Sequence, residues 1–282
     1  MRSHGLRYLL GAGFHRLAWT EWGPEAAAAP PVVCVHGLTR NGRDFDALAE
    51  ALAARGRRVL CPDLPGRGAS AWLPDPMAYG PPAYVVALAH LLARLEGPVD
   101  WVGTSLGGIC GMMVAAAPGQ PIRRLVLNDI GSHAPQPAMA RIRSYIGLPL
   151  SFPDLALLEA HLRQVHAPFG PLTDAQWRHL AEISARSLPD GRIGLHYDPA
   201  IATPILAQEQ AEALDLSFVW SRITLPTLLI RGAESDLLTA GTAAEMAQRP
   251  GVRLETIPGC GHAPALMDEA QIELVANFLE ED

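Results

Sequence analysis

The chain contains no lysine, so all 22 of its basic residues are arginine. Together with a surplus of alanine, this reads as a GC-rich coding bias that points to a bacterial source and says little about mechanism. Basic charge is outweighed by 29 acidic residues, for a formal net charge of −7. No basic stripe is available to neutralise phosphates, so a nucleic-acid partner is not expected. Cysteines are few: Cys34, Cys61, Cys110 and Cys260 stand far apart without C-x-x-C spacing. Neither a disulfide scaffold nor a structural zinc site is supported, and buried free thiols in a reducing cytoplasm fit best. No apolar run approaches the roughly 18 residues of a membrane-spanning helix. The start, MRSHGLRYLLGAGF, has positive charge but no sustained apolar stretch and no A-x-A-like cleavage site, so no signal peptide is expected. A cytoplasmic protein with no membrane partner is the resulting expectation.

Core material, by contrast, is plentiful. Hydrophobic residues make up 49% of the 282 and charged ones 18%, enough for one large α/β domain or one domain with an insertion. Short apolar runs bounded by Pro and Gly predict strands at 30–37, 57–66, 99–103 and 122–131. Between them, 47–56, 83–97 and 107–119 read as helices. Strands that are apolar on both faces and alternate with helices predict a doubly wound, mostly parallel sheet. From about 132 to 216 the alternation stops, and short helical pieces broken by prolines replace it. One of them, TDAQWRHLAEIS, opens with a T-x-x-Q capping box from Thr173 to Gln176. Alternation resumes with strands at 225–232 and 252–259 and a helix at 268–281. The expected division is therefore a core of 1–131 and 217–282 interrupted by a helical cap, 132–216.

Chemistry concentrates at the stretch VGTSLGG. Gly103-Thr104-Ser105-Leu106-Gly107 fits G-x-S-x-G between a predicted strand and a predicted helix, the context of a nucleophile elbow. The alternative is a packing turn with an ordinary serine, and strand-before, helix-after argues against it. A serine hydroxyl needs a base, and the base needs an orienting group. Asp236 in IRGAESDLLT and His262 in IPGCGHAPAL both follow predicted strands, on the sheet edge that Ser105 also occupies. No H-E-x-x-H pair, phosphate-binding loop or strand-linked G-x-G-x-x-G is present, so neither metal nor cofactor is implied.

The stretches VHGLTRNGRDF, PDLPGRGAS, GTSLGG, RGAESD and GCGHAP stand in the order and spacing of the α/β-hydrolase fold superfamily, which the chain resembles over most of its core. The resemblance implies Ser105 as nucleophile, His262 as general acid–base and Asp236 as its orienting carboxylate. It places the oxyanion hole at the backbone N–H groups of Leu38 and Leu106. Asp129 in VLNDIG is a rival for the carboxylate role, because some members carry the acid after the preceding strand; Asp236 holds the commoner position. Asp63 and His36 are expected to brace the loops around the oxyanion turn. Phe152, Phe169, Trp177 and Tyr197 of the insertion have two readings, cap core or walls of an acyl or alcohol pocket.

The activity implied is hydrolysis of carboxylic esters of small to medium, moderately apolar molecules through an acyl-enzyme, without cofactor. A carbon–carbon hydrolase of meta-cleavage products and an enol-lactonase are the alternatives. His36-Gly37-Leu38-Thr39 and His262-Ala263 depart from the HGxGPG turn and the Trp after histidine associated with the former. A binding protein on the same scaffold is the reading from another class, and an intact Ser, Asp and His set weighs against it. A homodimer stays open, since no residue argues for one.

Overall fold

The apolar runs VVCV, VLCPD, VDWVGT, IRRLVLN and TLLIRG lie side by side in one eight-stranded sheet of the computed structural model, which describes residues 1–281. Its strands are β1 (Arg2–Leu10), β2 (Gly13–Trp22), β3 (Val32–Val35), β4 (Val59–Asp63), β5 (Val99–Thr104), β6 (Ile122–Asn128), β7 (Thr227–Gly232) and β8 (Val252–Ile257). Their spatial order is β1-β2-β4-β3-β5-β6-β7-β8. Pairing is antiparallel at β1/β2 and β2/β4 and parallel everywhere else.

The central strands are apolar throughout because both faces are covered. Val33, Val35, Trp101, Leu125, Leu127 and Leu229 point into one buried cluster, whereas Val32, Cys34, Val102, Val126, Leu228 and Ile230 point into the other. Successive side chains of a strand face opposite ways, so an unbroken apolar run feeds two cores at once. The first core is closed by α2 (Pro81–Leu92) and α3 (Leu106–Ala115), through Tyr84, Leu88, Cys110 and Met112. The second is closed by α1 (Asp46–Ala54) and by the C-terminal helix Glu269–Glu280, through Leu48, Leu52, Val275 and Phe278. All four cysteines are buried free thiols.

No strand is read from the sequence before residue 30, yet the β1–β2 hairpin extends the sheet on that side. Leu6, Tyr8, Leu17 and Trp19 of the hairpin form a small buried cluster with Ala87 and Leu91 of α2. Arg, His and Gly fill nearly half of the remaining positions, so the period-2 signal is short and weak.

Between β6 and β7 the chain leaves the sheet. It forms α4 (Gln136–Tyr145), α5 (Leu155–Val165) and α6 (Asp174–Ser184), with a small three-stranded sheet from 151–152, 185–187 and 193–195. Thr173 caps α6 as its spacing predicts: Gln176 N donates to Thr173 Oγ1 at 3.3 Å and Thr173 N donates to Gln176 Oε1 at 2.8 Å. Trp177 is the centre of this segment's own apolar cluster, packed with Leu158, Leu162, Leu180 and Ala181 and reaching Met267 of the core. After β7 come α7 (Ala240–Met246) and β8, and the helix Glu269–Glu280 completes the chain as α8. Among the described residues no helix is long and apolar enough to cross a membrane, and no His, Cys, Asp and Glu cluster could hold a metal ion.

Candidate active site

Ser105 sits between the end of β5 and the start of α3 with φ +51° and ψ −113°, a conformation side-chain-bearing residues rarely adopt. The turn is fixed from both sides. Ser105 N donates to Asn128 O at 2.9 Å, and the Ser105 carbonyl accepts from Gly108 N and Ile109 N at 2.9 and 3.0 Å. Glycine is required where the turn folds back on itself. A methyl at Gly107 would stand 1.9 Å from the Val35 carbonyl oxygen, and one at Gly103 2.4 Å from the Gly107 carbonyl oxygen. Helix and strands can touch there only without a Cβ, which is the physical content of the two glycines in the motif.

His262, on the loop between β8 and α8, places Nε2 3.0 Å from Ser105 Oγ. Its Nδ1 lies 2.6 Å from Oδ2 of Asp129. Asp129 follows β6, is fully buried and has φ +55°, so a second unusual backbone conformation stands beside the first. Its carboxylate is further held by Gly232 N at 2.8 Å and by the Ser235 hydroxyl at 2.6 Å. With three donors converging on it, this carboxylate can keep the imidazole's Nδ1 protonated and its Nε2 free to accept.

Asp236 does not approach His262's Nδ1, contrary to the expectation from chain position. It lies on the same loop as Ser235 but turns outward, where Arg141 of α4 holds it through Nε at 2.6 Å and Nη2 at 2.8 Å. Adjacent loop residues face opposite ways: Ser235 reaches inward to Asp129, and Asp236 therefore reaches outward to the inserted segment. The bidentate bond to Arg141 keeps the Asp236 carboxyl below its ordinary range. Asp129, the rival in the sequence, stands where the orienting carboxylate is needed. Its signal was an aspartate directly after a strand, at a spot where Asp and Asn tolerate positive φ better than other residues.

Leu38 and Leu106 both border the space in front of Ser105. As the first residue of α3, Leu106 has no carbonyl one turn back for its N–H to bind. The Leu38 carbonyl is fixed by Arg67 Nε at 2.9 Å. His36, fully buried, accepts from Leu64 N at Nε2 (2.9 Å) and donates from Nδ1 to Gly37 O (2.7 Å). Burial lowers its pKa to about 3, so it is a neutral brace. Asp63 accepts from Gly42 N and Ala69 N, both at 2.8 Å, and joins the next loop to the same turn.

The serine, the histidine and both leucines open into a cavity of about 970 Å³ that runs between the sheet's edge and the inserted segment. Of the four insertion aromatics, Phe169 and Tyr197 line it, whereas Phe152 and Trp177 do not. Trp177 belongs to the insertion's core, and Phe152 packs at the edge of that core against the His161 ring, 5.1 Å between centroids. Arginines at the cavity are paired: Arg40 with Asp44 at 2.7 Å, and Arg141 with Asp236. His166, missed in the sequence, also lines the cavity and stacks on Phe169 at 4.6 Å. Burial, then the nearby Arg40 charge, pushes its pKa well below the ordinary histidine value.

A profile described as the alpha/beta hydrolase family matches residues 32–277. The chain belongs to the alpha/beta hydrolase family. A curated relative, the 3-hydroxybutyrate-oligomer hydrolase of Cupriavidus necator, is 44% identical over 276 residues, covering 95% of this chain and 94% of the relative. Lipase LipV of Mycobacterium tuberculosis is 31% identical over 256 residues, 86% of this chain and 89% of that one. Among solved structures, an alpha/beta hydrolase from Novosphingobium aromaticivorans superposes with a TM-score of 0.86 at 38% identity, covering 99% of this chain and 98% of its own. This member of the family is accordingly an enzyme, a hydrolase.

Proposed function

We propose that this hydrolase cleaves carboxylic esters through an acyl-enzyme on Ser105, with His262 as general acid–base and Asp129 as the carboxylate that orients it. The observation that carries the reading is the unbroken relay from Asp129 Oδ2 to His262 Nδ1 (2.6 Å) and from His262 Nε2 to Ser105 Oγ (3.0 Å). Ser105 Oγ attacks the ester carbonyl while His262 Nε2 takes its proton. The N–H groups of Leu38 and Leu106 receive the oxyanion, each such donor being worth about 3 kcal/mol in comparable sites. His262 returns the proton to the departing alcohol and then activates the water that releases the acid. Asp129 stabilises the imidazolium in both halves without taking its proton.

The substrate class proposed is short oligoesters of a hydroxy acid. Support comes from the 44% identity, over nearly full length, to a protein named for hydrolysing 3-hydroxybutyrate oligomers. A largely apolar cavity of about 970 Å³ is roomier than a single small acyl group needs. The inserted segment acts in this reading as the cap over the site, with Phe169 and Tyr197 as substrate-facing walls.

Hydrolysis of p-nitrophenyl butyrate and of 3-hydroxybutyrate oligomers, with a fluorophosphonate label followed by mass spectrometry, tests the proposal. Both esters should be cleaved, the label should map to Ser105, and Ser105→Ala should remove label and turnover while leaving the fold intact. Turnover of the esters by Ser105→Ala at the wild-type rate would overturn the mechanism.

A further inference from the structure

A second, smaller cavity of about 280 Å³ opens beside the catalytic one, and Leu148, Leu150, Leu195 and Tyr197 form walls of both. Its other side carries Arg186, which lies on the short strand 185–187 opposite Gly194. This guanidinium differs from those of the main cavity. Arg40 and Arg141 each grip a carboxylate, but among the described residues no carboxylate comes within salt-bridge distance of Arg186. Its Nε is buried without a hydrogen-bond partner, and one face lies over the Trp72 ring, 4.9 Å from the centroid. A second guanidinium stands next to the same cavity: Arg192 Nη2 donates to the carbonyl of Ser151, a lining residue, at 2.8 Å.

A partly buried cation without a counter-charge is costly unless an anion joins it. A guanidinium stacked on an aromatic ring keeps its edge free, and that edge matches a carboxylate's two oxygens. We infer that the Arg186 cavity is the binding site for the terminal carboxylate of the oligoester whose ester bond lies at Ser105. The inference rests on the ester-hydrolase reading above and adds where the charged end of the substrate goes. The hydroxy-acid chain would lie along Leu150, Leu195 and Tyr197, which line both cavities, with its one charge anchored at Arg186. Oligomers ending in a free carboxylate are thereby favoured over neutral esters of the same length.

The test compares a 3-hydroxybutyrate trimer with its methyl ester, using the full chain and Arg186→Gln and Arg186→Lys variants, with p-nitrophenyl butyrate as control. Wild type should show a lower KM for the free acid than for the methyl ester, and added salt should narrow the gap. Arg186→Gln should raise KM for the free acid about tenfold, as expected for loss of a charge-assisted hydrogen bond. The methyl ester, p-nitrophenyl butyrate and kcat should be unaffected, and Arg186→Lys should recover part of the preference. Equal KM values for acid and methyl ester in wild type, or equal losses on both in Arg186→Gln, would overturn the site. So would a trimer left uncut while p-nitrophenyl butyrate is hydrolysed, which spares the serine mechanism. Failure on every ester would instead strike the mechanism itself.

Discussion

Ser235 and Asp236 are consecutive residues that serve different structures: the Ser235 hydroxyl donates to Asp129 at 2.6 Å, while the Asp236 carboxylate is clasped by Arg141. A single peptide unit separates the support of the buried relay from an exposed bond to the inserted segment. In consequence the two aspartates make opposite predictions. Asp129→Asn should lower kcat on p-nitrophenyl butyrate by about 10⁴, the size of effect seen when an orienting carboxylate no longer fixes the imidazole tautomer. Asp236→Asn should leave kcat within about threefold, since half-exposed ion pairs are worth little. A collapse of kcat in Asp236→Asn with Asp129→Asn active would reverse the assignment.

The glycines at the serine turn can be separated from ordinary ones. Gly107→Ala puts a methyl 1.9 Å from a backbone carbonyl that has nowhere to go. It should cost about 2 kcal/mol or more, read as a drop in denaturation midpoint. Gly241→Ala, inside α7, meets nothing closer than 3.9 Å. Helix propensity should make that change neutral or stabilising by up to about 1 kcal/mol. Similar losses for both would show that close approach is not what the motif glycine provides.

Acid should weaken the fold before most carboxylates titrate. The folded-state pKa of His36 lies at about 3 against an ordinary 6.5, so its neutral form is the one the fold prefers. Its contribution is therefore complete above pH 6.5 and is lost as pH falls from there toward 3. His166 shifts in the same direction and adds to the same slope. Tm followed from pH 7 to 4.5 should fall in wild type. In His36→Gln it should start lower and fall less steeply. Parallel slopes in the two proteins would remove His36 as a source.

Trp177 and Phe169 should part company in kinetics. Trp177→Ala empties the centre of the insertion's core and should cost about 3–5 kcal/mol. The milder Trp177→Phe should lower Tm while leaving KM for p-nitrophenyl esters unchanged. Phe169→Leu, at the cavity wall, should shift KM across a series of acyl lengths with little change in Tm. A KM effect confined to Trp177→Phe would contradict the placement of the two rings.

Much of this was legible from residue order. Parallel strands reveal themselves as unbroken apolar runs because both faces are buried, and the serine turn betrays itself through glycines that no side chain can replace. His262 was found because its loop follows a strand on the right edge. The choice between Asp129 and Asp236 was not legible. It depends on which way one loop residue rotates, and nothing local dictates that rotation; Arg141, 95 positions away, contributes to it. Trp177 and Tyr197 looked alike for a similar reason. An aromatic among leucines reads as buried, but whether its ring meets another helix, as Trp177 of α6 does, or a cavity, as Tyr197 does from a non-helical stretch, is not a local property.

The inserted segment is fastened to the loops around Ser105 on two sides, through residues just before and at the end of α6. Gly261 N donates to Pro168 O at 2.8 Å and Ala265 N to Phe169 O at 3.2 Å, one residue before and three residues after His262. On the other flank Arg40 Nη1 donates to Ser184 Oγ and Asn41 Nδ2 to Ile183 O, both at 2.8 Å, just beyond Leu38. Lifting this segment would pull on the loops that carry His262 and Leu38, because these four hydrogen bonds tie it to them. A bulky guest pressing on Phe169 therefore strains the machinery as well as the walls, and size discrimination should register in turnover as well as in grip.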